Sequence, residues 1–235
     1  MEESVRRQLF ALNRTFYREF ADSFAQSRSE PQPGFHRLLE YLPEPCNNLL
    51  DVGCGEGRLG RFLLARGRVK AYEGLDGSPE LIAIAHRLVD GRFWQRDLGR
   101  PDALEGLGVY DGVACLAVLQ HIPGRDVRVR LLSQMGAHLA AQGRLIISTW
   151  QFLGSERQRK KLIDWSAVGL SPETVGPNDY LMTWRKGGKG LRYVCYVDED
   201  EMVSLAKQAG LLLLDTYRSD GREGDLNLYS VLGHR

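Results

Sequence analysis

The spacing of apolar residues changes at about residue 47. Before that point, apolar side chains recur three or four positions apart and predict an amphipathic helix over residues 4–26. A second short apolar stripe starts at Phe35 and ends before Pro43 and Pro45, as expected of a short helix. Residues 1–45 are therefore predicted to form a helical cover. The first stripe consists of Leu9, Leu12, Phe16, Phe20 and Phe24.

Residues 46–150 alternate between short apolar runs and helical patterns. Within this half, Ser78 followed by Pro79 is typical of a helix start, because serine caps a helix and proline tolerates its first position. Strands that alternate with helices indicate a parallel sheet covered by helices on both faces. The predicted strands span residues 48–52, 69–75, 92–95, 112–119 and 144–149.

The alternation stops at residue 151. Glycine and proline punctuate residues 151–192, and so long an irregular stretch inside a domain predicts a lid or inserted loop. Beyond it, residues 193–197 predict an edge strand, and Asp198 with Glu201 resembles a capping box at a helix start. Two apolar runs, 211–217 and 226–232, flank a polar turn and predict an antiparallel hairpin, so residues 193–235 should complete the sheet.

Composition narrows the class of protein. The chain has 235 residues, 43% hydrophobic and 26% charged, which is ordinary for a globular protein, and one domain over 1–235 is expected. Its net charge of +1 gives no overall field toward nucleic acid or membrane, although residues 151–195 are locally basic. The four cysteines form no C-x-x-C pair, so neither a disulfide framework nor a metal site is expected. No signal peptide or membrane span is recognisable, and we expect a cytoplasmic protein without a membrane partner.

A glycine-rich loop carries the strongest chemical signal. The segment Asp51-Val52-Gly53-Cys54-Gly55-Glu56-Gly57 runs from a predicted strand into a helix. Glycines there permit tight turns and the close approach of a ligand, and the helix start offers free N–H groups. A dinucleotide fingerprint also fits Gly55, Gly57 and Gly60, but it begins late and after an acid. The Asp51 carboxylate would repel a pyrophosphate and would suit a cation such as the ammonium of a methionine moiety.

This loop resembles the first motif of class I S-adenosylmethionine-dependent methyltransferases. In that family an acid at the position of Asp76 binds the ribose hydroxyls, and one at Asp97 takes the adenine amino group. The resemblance implies an α/β fold, with a Rossmann-like, seven-stranded, mostly parallel sheet, an antiparallel C-terminal hairpin and helices on both faces. It implies S-adenosyl-L-methionine as cofactor and S-adenosyl-L-homocysteine as product. The implied cofactor-binding residues are Arg28, Asp51, Gly53, Cys54, Gly55, Asp76, Gly77, Asp97, Leu98, Leu116 and Ala117.

A narrower resemblance concerns the flanks of this half. Residues 17–33, 118–121, 146–150 and 193–210 are similar to segments of the eukaryotic tRNA wobble-uridine carboxymethyl methyltransferases, which form the methyl ester of 5-carboxymethyluridine. The resemblance implies tRNA as partner, with Arg28 and His121 binding the acceptor carboxylate and Trp150 stacking on a base. Those three residues are the predicted catalytic set. The small zinc-binding activator subunit of the eukaryotic enzymes is a possible partner that this sequence does not itself imply.

Two other functions stay open from the sequence. In the first, the enzyme methylates an oxygen or nitrogen of a small metabolite, and the basic run at 157–161 is a solvated surface. In the second, the chain binds the cofactor without catalysis.

Overall fold

A computed structural model describes residues 1–26, 30–185 and 187–235. The strands are β1 (Asn48–Val52), β2 (Ala71–Asp76), β3 (Arg92–Gln95), β4 (Tyr110–Leu116), β5 (Leu139–Trp150), β6 (Leu162–Ile163), β7 (Asp179–Trp184), β8 (Gly190–Cys195), β9 (Leu211–Ser219) and β10 (Asn227–His234). The helices are α1 (Glu3–Gln26), α2 (Gly34–Leu38), α3 (Arg58–Leu64), α4 (Pro79–Leu88), α5 (Arg125–Ala137), α6 (Glu156–Arg159) and α7 (Glu199–Gln208).

Seven strands form the central sheet in the order β3-β2-β1-β4-β5-β10-β9. The first five strands are parallel, and β10 runs antiparallel to both β5 and β9. This is the Rossmann-like sheet with a C-terminal hairpin that the sequence predicts. The chain builds outward from β1 to β3 and then crosses to β4. Ligands of open α/β sheets bind at such a reversal, outside the carboxyl ends of the strands.

Apolar residues fill both faces of the sheet. Leu49 and Leu50 are both fully buried, yet they belong to separate clusters. Leu50 packs in the cluster of Val113, whereas Leu49 packs in the cluster of Tyr72. Successive side chains of a strand point to opposite faces, so a strand covered on both sides reads as a continuous apolar run.

The predicted helix starts are confirmed. The Ser78 hydroxyl accepts from the Leu81 N–H at 3.2 Å, and Pro79 is the first residue of α4. The Asp198 carboxylate accepts from the Glu201 N–H at 2.9 Å and caps α7.

Residues 151–192 differ from the expectation of an irregular lid. Strands β6, β7 and β8 form a separate antiparallel sheet of three strands, preceded by the short helix α6. Tyr193 was expected on the edge of the main sheet, but it pairs with Leu181 of β7. The reason is topological, because β10 and β9 already occupy the positions beyond β5.

Helix α1 lies across β8 and is fixed there by one buried side chain. The Asn13 amide accepts from the Tyr193 N–H at 2.8 Å. It also donates to the carbonyl of Tyr193 at 3.2 Å and to that of His121 at 3.1 Å. Helix α1, the longer part of the predicted N-terminal cover, thereby lies over the carboxyl ends of the parallel strands. None of the helices within the described ranges has the length and apolar character needed to cross a membrane.

Candidate active site

A cavity of about 440 Å³ lies beneath α1 at the carboxyl ends of the parallel strands. Arg28 lies outside the described residues, and its assignment stays a prediction. All the other residues expected to bind the cofactor line this cavity, namely Asp51, Gly53, Cys54, Gly55, Asp76, Gly77, Asp97, Leu98, Leu116 and Ala117.

The glycine loop forms the floor of the cavity. Gly53, Gly55 and Gly57 have positive φ angles of 81°, 55° and 78°, a conformation that side-chain-bearing residues rarely adopt. The N–H groups of Gly53 and Cys54 both donate to the Leu75 carbonyl, at 2.7 and 3.0 Å, which holds the loop against β2. A Cβ on Gly53 would lie 2.3 Å from the Val118 Cγ2 atom, so the loop has no room for a side chain there.

Asp76 ends β2 and is held in one orientation. Its carboxylate accepts from the Gly55 N–H at 3.0 Å and from the Ser78 N–H at 2.9 Å. Burial nevertheless raises the pKa of Asp76. A fixed carboxylate with two oxygens on the cavity wall has the chemistry to accept from neighbouring ribose hydroxyls.

Asp51 lies deeper, and 3% of its surface is exposed. Burial raises the pKa of Asp51 to about 7, the Tyr72 hydroxyl opposes this by donating to it at 2.6 Å, and the charges of Asp76 and Glu56 add to the rise. Acidic side chains so close together favour a ligand group of positive charge, such as an ammonium, and they disfavour a pyrophosphate.

The far wall carries Asp97 and Ala117. The Asp97 carboxylate accepts from the Gly99 N–H at 3.0 Å and forms an ion pair of 3.2 Å with Arg14 of the cover helix. Ala117 has a φ of +57°, and its N–H donates to the Ser148 carbonyl at 2.9 Å. Left-handed backbone at a residue other than glycine is strained, and such strain concentrates at functional sites.

His121 lines the cavity at the end of β4 and is 7% exposed. Its Nδ1 atom lies 3.1 Å from the Tyr193 carbonyl oxygen. A carbonyl only accepts, so Nδ1 carries the proton, and in the neutral ring Nε2 holds the lone pair. The imidazole meets the rings of Tyr17 and Trp150 edge to face, at centroid distances of 5.7 and 5.2 Å.

Trp150 occupies a different place from the expected one. It is absent from the described lining of the cavity and lies behind His121. Its ring is covered by the Arg192 guanidinium at 4.5 Å. The last residue of β5 points toward the second sheet, whose existence the sequence pattern did not predict.

Arg192 is the residue that sequence reasoning missed. It is 4% exposed, and its guanidinium also lies 5.1 Å from the Phe16 ring and 5.2 Å from the Trp184 ring. Its Nη2 atom contacts the Met182 sulfur at 3.9 Å, whereas Nε and Nη1 have no hydrogen-bond partner among the described residues. Burial lowers the pKa of Arg192, and the Tyr17 hydroxyl opposes this. The rings of Phe16, Trp150 and Trp184 thus form a cage around Arg192. This cage joins α1, β5, β7 and β8, so no local spacing in the sequence reveals it.

In the part of the chain that the structure describes, no group of three or more His, Cys, Asp or Glu side chains is placed to hold a metal ion.

A family model for the methyltransferase domain matches residues 17–216. The chain belongs to this methyltransferase family. It is an S-adenosylmethionine-dependent methyltransferase, and the cavity residues around Asp51 and Asp76 fit that cofactor.

Relatives of this methyltransferase have different named activities. A protein of Encephalitozoon cuniculi, named as a methyltransferase, is 28% identical over 85% of this chain and 87% of its own length. The ubiquinone biosynthesis O-methyltransferase of Xanthomonas axonopodis is 31% identical over 59% of this chain and 64% of its own. A Mus musculus protein, named as tRNA methyltransferase 9B, is 25% identical over 64% of this chain and 32% of its own.

Solved structures agree on the fold of the methyltransferase. The magnesium protoporphyrin IX methyltransferase of Synechocystis PCC 6803 with bound SAH superposes with a TM-score of 0.67 at 18% identity, covering 96% of this chain and 99% of that one. An S-adenosylmethionine-dependent methyltransferase of Clostridium acetobutylicum gives 0.63 at 14% identity, covering 93% and 92%.

Proposed function

We propose that this methyltransferase forms a methyl ester on a carboxylate acceptor, and that the acceptor is 5-carboxymethyluridine in tRNA. The observation that carries the proposal is the buried Arg192 guanidinium, which has no carboxylate partner among the described residues. The rings around Arg192 and the Tyr17 hydroxyl stabilise the cation without neutralising it, so a ligand carboxylate that reached it would form the missing ion pair.

The cage of Arg192 fits such an acceptor. Two of its donor atoms, Nε and Nη1, have no hydrogen-bond partner among the described residues, and each can donate to an oxygen of a carboxylate. Tyr17 and His121 separate the guanidinium from the cofactor cavity, and both line that cavity.

Positive charge continues from Arg192 toward the surface. The pKa of Lys161 is lowered by burial and by the charges of Arg157 and Arg192, so these three cations are neighbours. Arg157 is exposed, as is Lys160, which pairs with Glu156 at 2.7 Å. A basic approach to the acceptor end supports a polyanionic substrate such as RNA.

The proposed reaction requires the protein mainly to orient the acceptor carboxylate toward the methyl group. Bound S-adenosylmethionine would supply an electrophilic methyl group on a sulfonium, for in-line transfer to an acceptor oxygen with S-adenosylhomocysteine as the leaving group. A carboxylate is ionised at neutral pH, so no proton has to be removed from it. Arg192 and His121 then hold the acceptor oxygen in position, and positioning provides most of the rate enhancement in such a step.

A second candidate is O-methylation of a small hydroxyl compound. His121 favours it, because a neutral imidazole among the residues that line the cavity has the chemistry to take a proton from a hydroxyl. The O-methyltransferase named among the relatives agrees with this alternative.

The deciding experiment combines methyl-labelled S-adenosylmethionine with bulk tRNA, part of which carries carboxymethyluridine. Label on the RNA that mild alkali releases supports the ester. Alkali-stable label shows RNA methylation of another kind and contradicts the ester. Absence of label, in protein that binds the cofactor, contradicts the tRNA proposal and favours the small hydroxyl acceptor.

His121→Gln separates the two chemistries independently. A hydroxyl acceptor needs a base, and losing one costs about 10²–10⁴-fold in kcat. A carboxylate acceptor needs none, so the variant should lose about tenfold or less through misorientation.

A further inference from the structure

Glu56 is a buried carboxylate in the cofactor cavity with no role assigned above. It lies in the glycine loop between Gly55 and Gly57, lines the cavity and is 3% exposed. Its Oε1 atom has no hydrogen-bond partner among the residues that the structure describes. A buried oxygen without a hydrogen bond destabilises a protein, and a ligand group that donates a hydrogen bond to it removes this cost.

Glu56 forms no ion pair with any described cation. Arg58 is the nearby positive side chain, and the charge of Glu56 raises its pKa against the effect of burial. The Arg58 guanidinium, however, donates to the Gln32 side chain at 2.9 Å and lies over the Phe35 ring at 5.5 Å. Within the described ranges, no ion pair of Glu56 is closer than 4.0 Å, the limit for a salt bridge.

The surroundings of Glu56 make its end of the cavity strongly acidic. The charge of Glu56 raises the pKa of Asp51 and also that of Asp76, so the three carboxylates face one region. Asp76 is satisfied by two backbone N–H groups and Asp51 by the Tyr72 hydroxyl. Of these three carboxylates, Glu56 is the one with a buried oxygen that no described group meets, and like charges so arranged attract a cation.

We propose that Glu56 binds the α-ammonium group of the cofactor together with Asp51. Glu56 supplies the direct acceptor, and Asp51 contributes its charge from beneath. The pair would hold the amino-acid end of the cofactor, whereas Asp76 lies at the ribose end. Glu56 is thus a cofactor-binding residue that the glycine motif does not predict, since the motif is defined by its glycines.

The test compares two ligands by calorimetry at pH 8, where Asp51 is ionised. S-adenosylhomocysteine carries the ammonium, and 5′-methylthioadenosine lacks the whole amino-acid part. Glu56→Gln keeps the shape of the side chain and removes its charge. We expect its Kd for S-adenosylhomocysteine to rise about tenfold or more, as loss of a charged acceptor does, and its Kd for methylthioadenosine to stay within about twofold.

Glu80→Gln is the matched control, because Glu80 also lines the cavity but is bonded to the Ser78 hydroxyl at 2.8 Å. It should weaken both ligands equally or neither. If Glu56→Gln weakens both ligands to the same extent, Glu56 acts on loop structure and the proposal is wrong. Unchanged binding of both ligands would overturn it as well.

Discussion

The Tyr72 hydroxyl donates a 2.6 Å hydrogen bond to the Asp51 carboxylate, and both groups are buried beneath the glycine loop. The bond is the strongest force that opposes the rise in the pKa of Asp51, which nevertheless reaches about 7. Asp51 therefore changes charge within the physiological range, and the charge of the cofactor cavity changes with it.

Cofactor affinity should fall as the pH drops through 7. Protonation of Asp51 removes the negative charge that attracts the cofactor ammonium, so the Kd should rise by up to about tenfold for each unit below its pKa. Tyr72→Phe removes the bond that lowers the pKa, and the midpoint should move to higher pH. Calorimetry with S-adenosylhomocysteine between pH 6 and 9 measures both. Asp51→Asn should bind weakly with a flat profile, and an unchanged profile in that variant would assign the titration elsewhere.

Asp76→Ala should weaken cofactor binding by about 2 kcal/mol or more, because a fixed charged acceptor for the ribose hydroxyls is lost. The exposed Asp90 lies outside the cavity lining, and Asp90→Ala is the matched control with expected wild-type affinity. Equal affinity of the Asp76 variant and the wild type in calorimetry would remove Asp76 from the site.

Gly53→Ala should abolish cofactor binding. The new Cβ would meet Val118 Cγ2 at 2.3 Å and the residue would keep a φ of +81°, so the loop must move. Gly106→Ala is the control, because Gly106 has a φ of +79° with no atom within 4 Å of its Cβ position. Backbone strain should destabilise that control variant by about 1–2 kcal/mol, and the folded variant should bind the cofactor normally. Thermal unfolding and calorimetry on both variants separate strain from collision, and similar binding by both would contradict the steric argument.

Arg192→Met should raise the KM for the acceptor at least about tenfold while the cofactor Kd stays unchanged. The same change should leave stability equal or higher, since an apolar side chain replaces a buried cation that has no carboxylate partner among the described residues. Arg192→Lys should retain part of the acceptor binding, because a lysine keeps the charge without the planar fork. Arg87→Met, at an exposed position of α4, is the control. A destabilised Arg192→Met with normal KM would make the cage a structural element.

The cofactor half of the molecule was predictable because its signals are local. Glycines at alternate positions require positive φ angles, and Ser78 before Pro79 marks a helix start from adjacent residues alone. Strand β1 was predicted with its observed bounds, since a strand buried on both faces is a short apolar run between turns. Strand β4 instead ends at Leu116, because the backbone of Ala117 leaves the extended conformation, which no apolar pattern reports.

The second sheet and the surroundings of Arg192 were not predictable, because their contacts join residues far apart in the sequence. Strands β7 and β8 are short and flanked by glycines, so their alternation is indistinguishable from an irregular insertion. The Arg192 cage needs rings from α1, β5 and β7, and one sequence contains no record of which distant residues meet. The position of Trp150 between His121 and Arg192 was not predictable for the same reason, and its base-stacking role stays a prediction.

The side chain of Asn13 bonds both backbone groups of Tyr193, 180 residues further along the chain. A ribosome releases the chain from its N-terminus, so α1 emerges well before its docking partner in β8. The glycine loop and the first parallel strands are complete long before β8 exists. A nascent chain that lacks β8 therefore has an open cofactor cleft, and α1 can dock over the cleft only after β8 has been made.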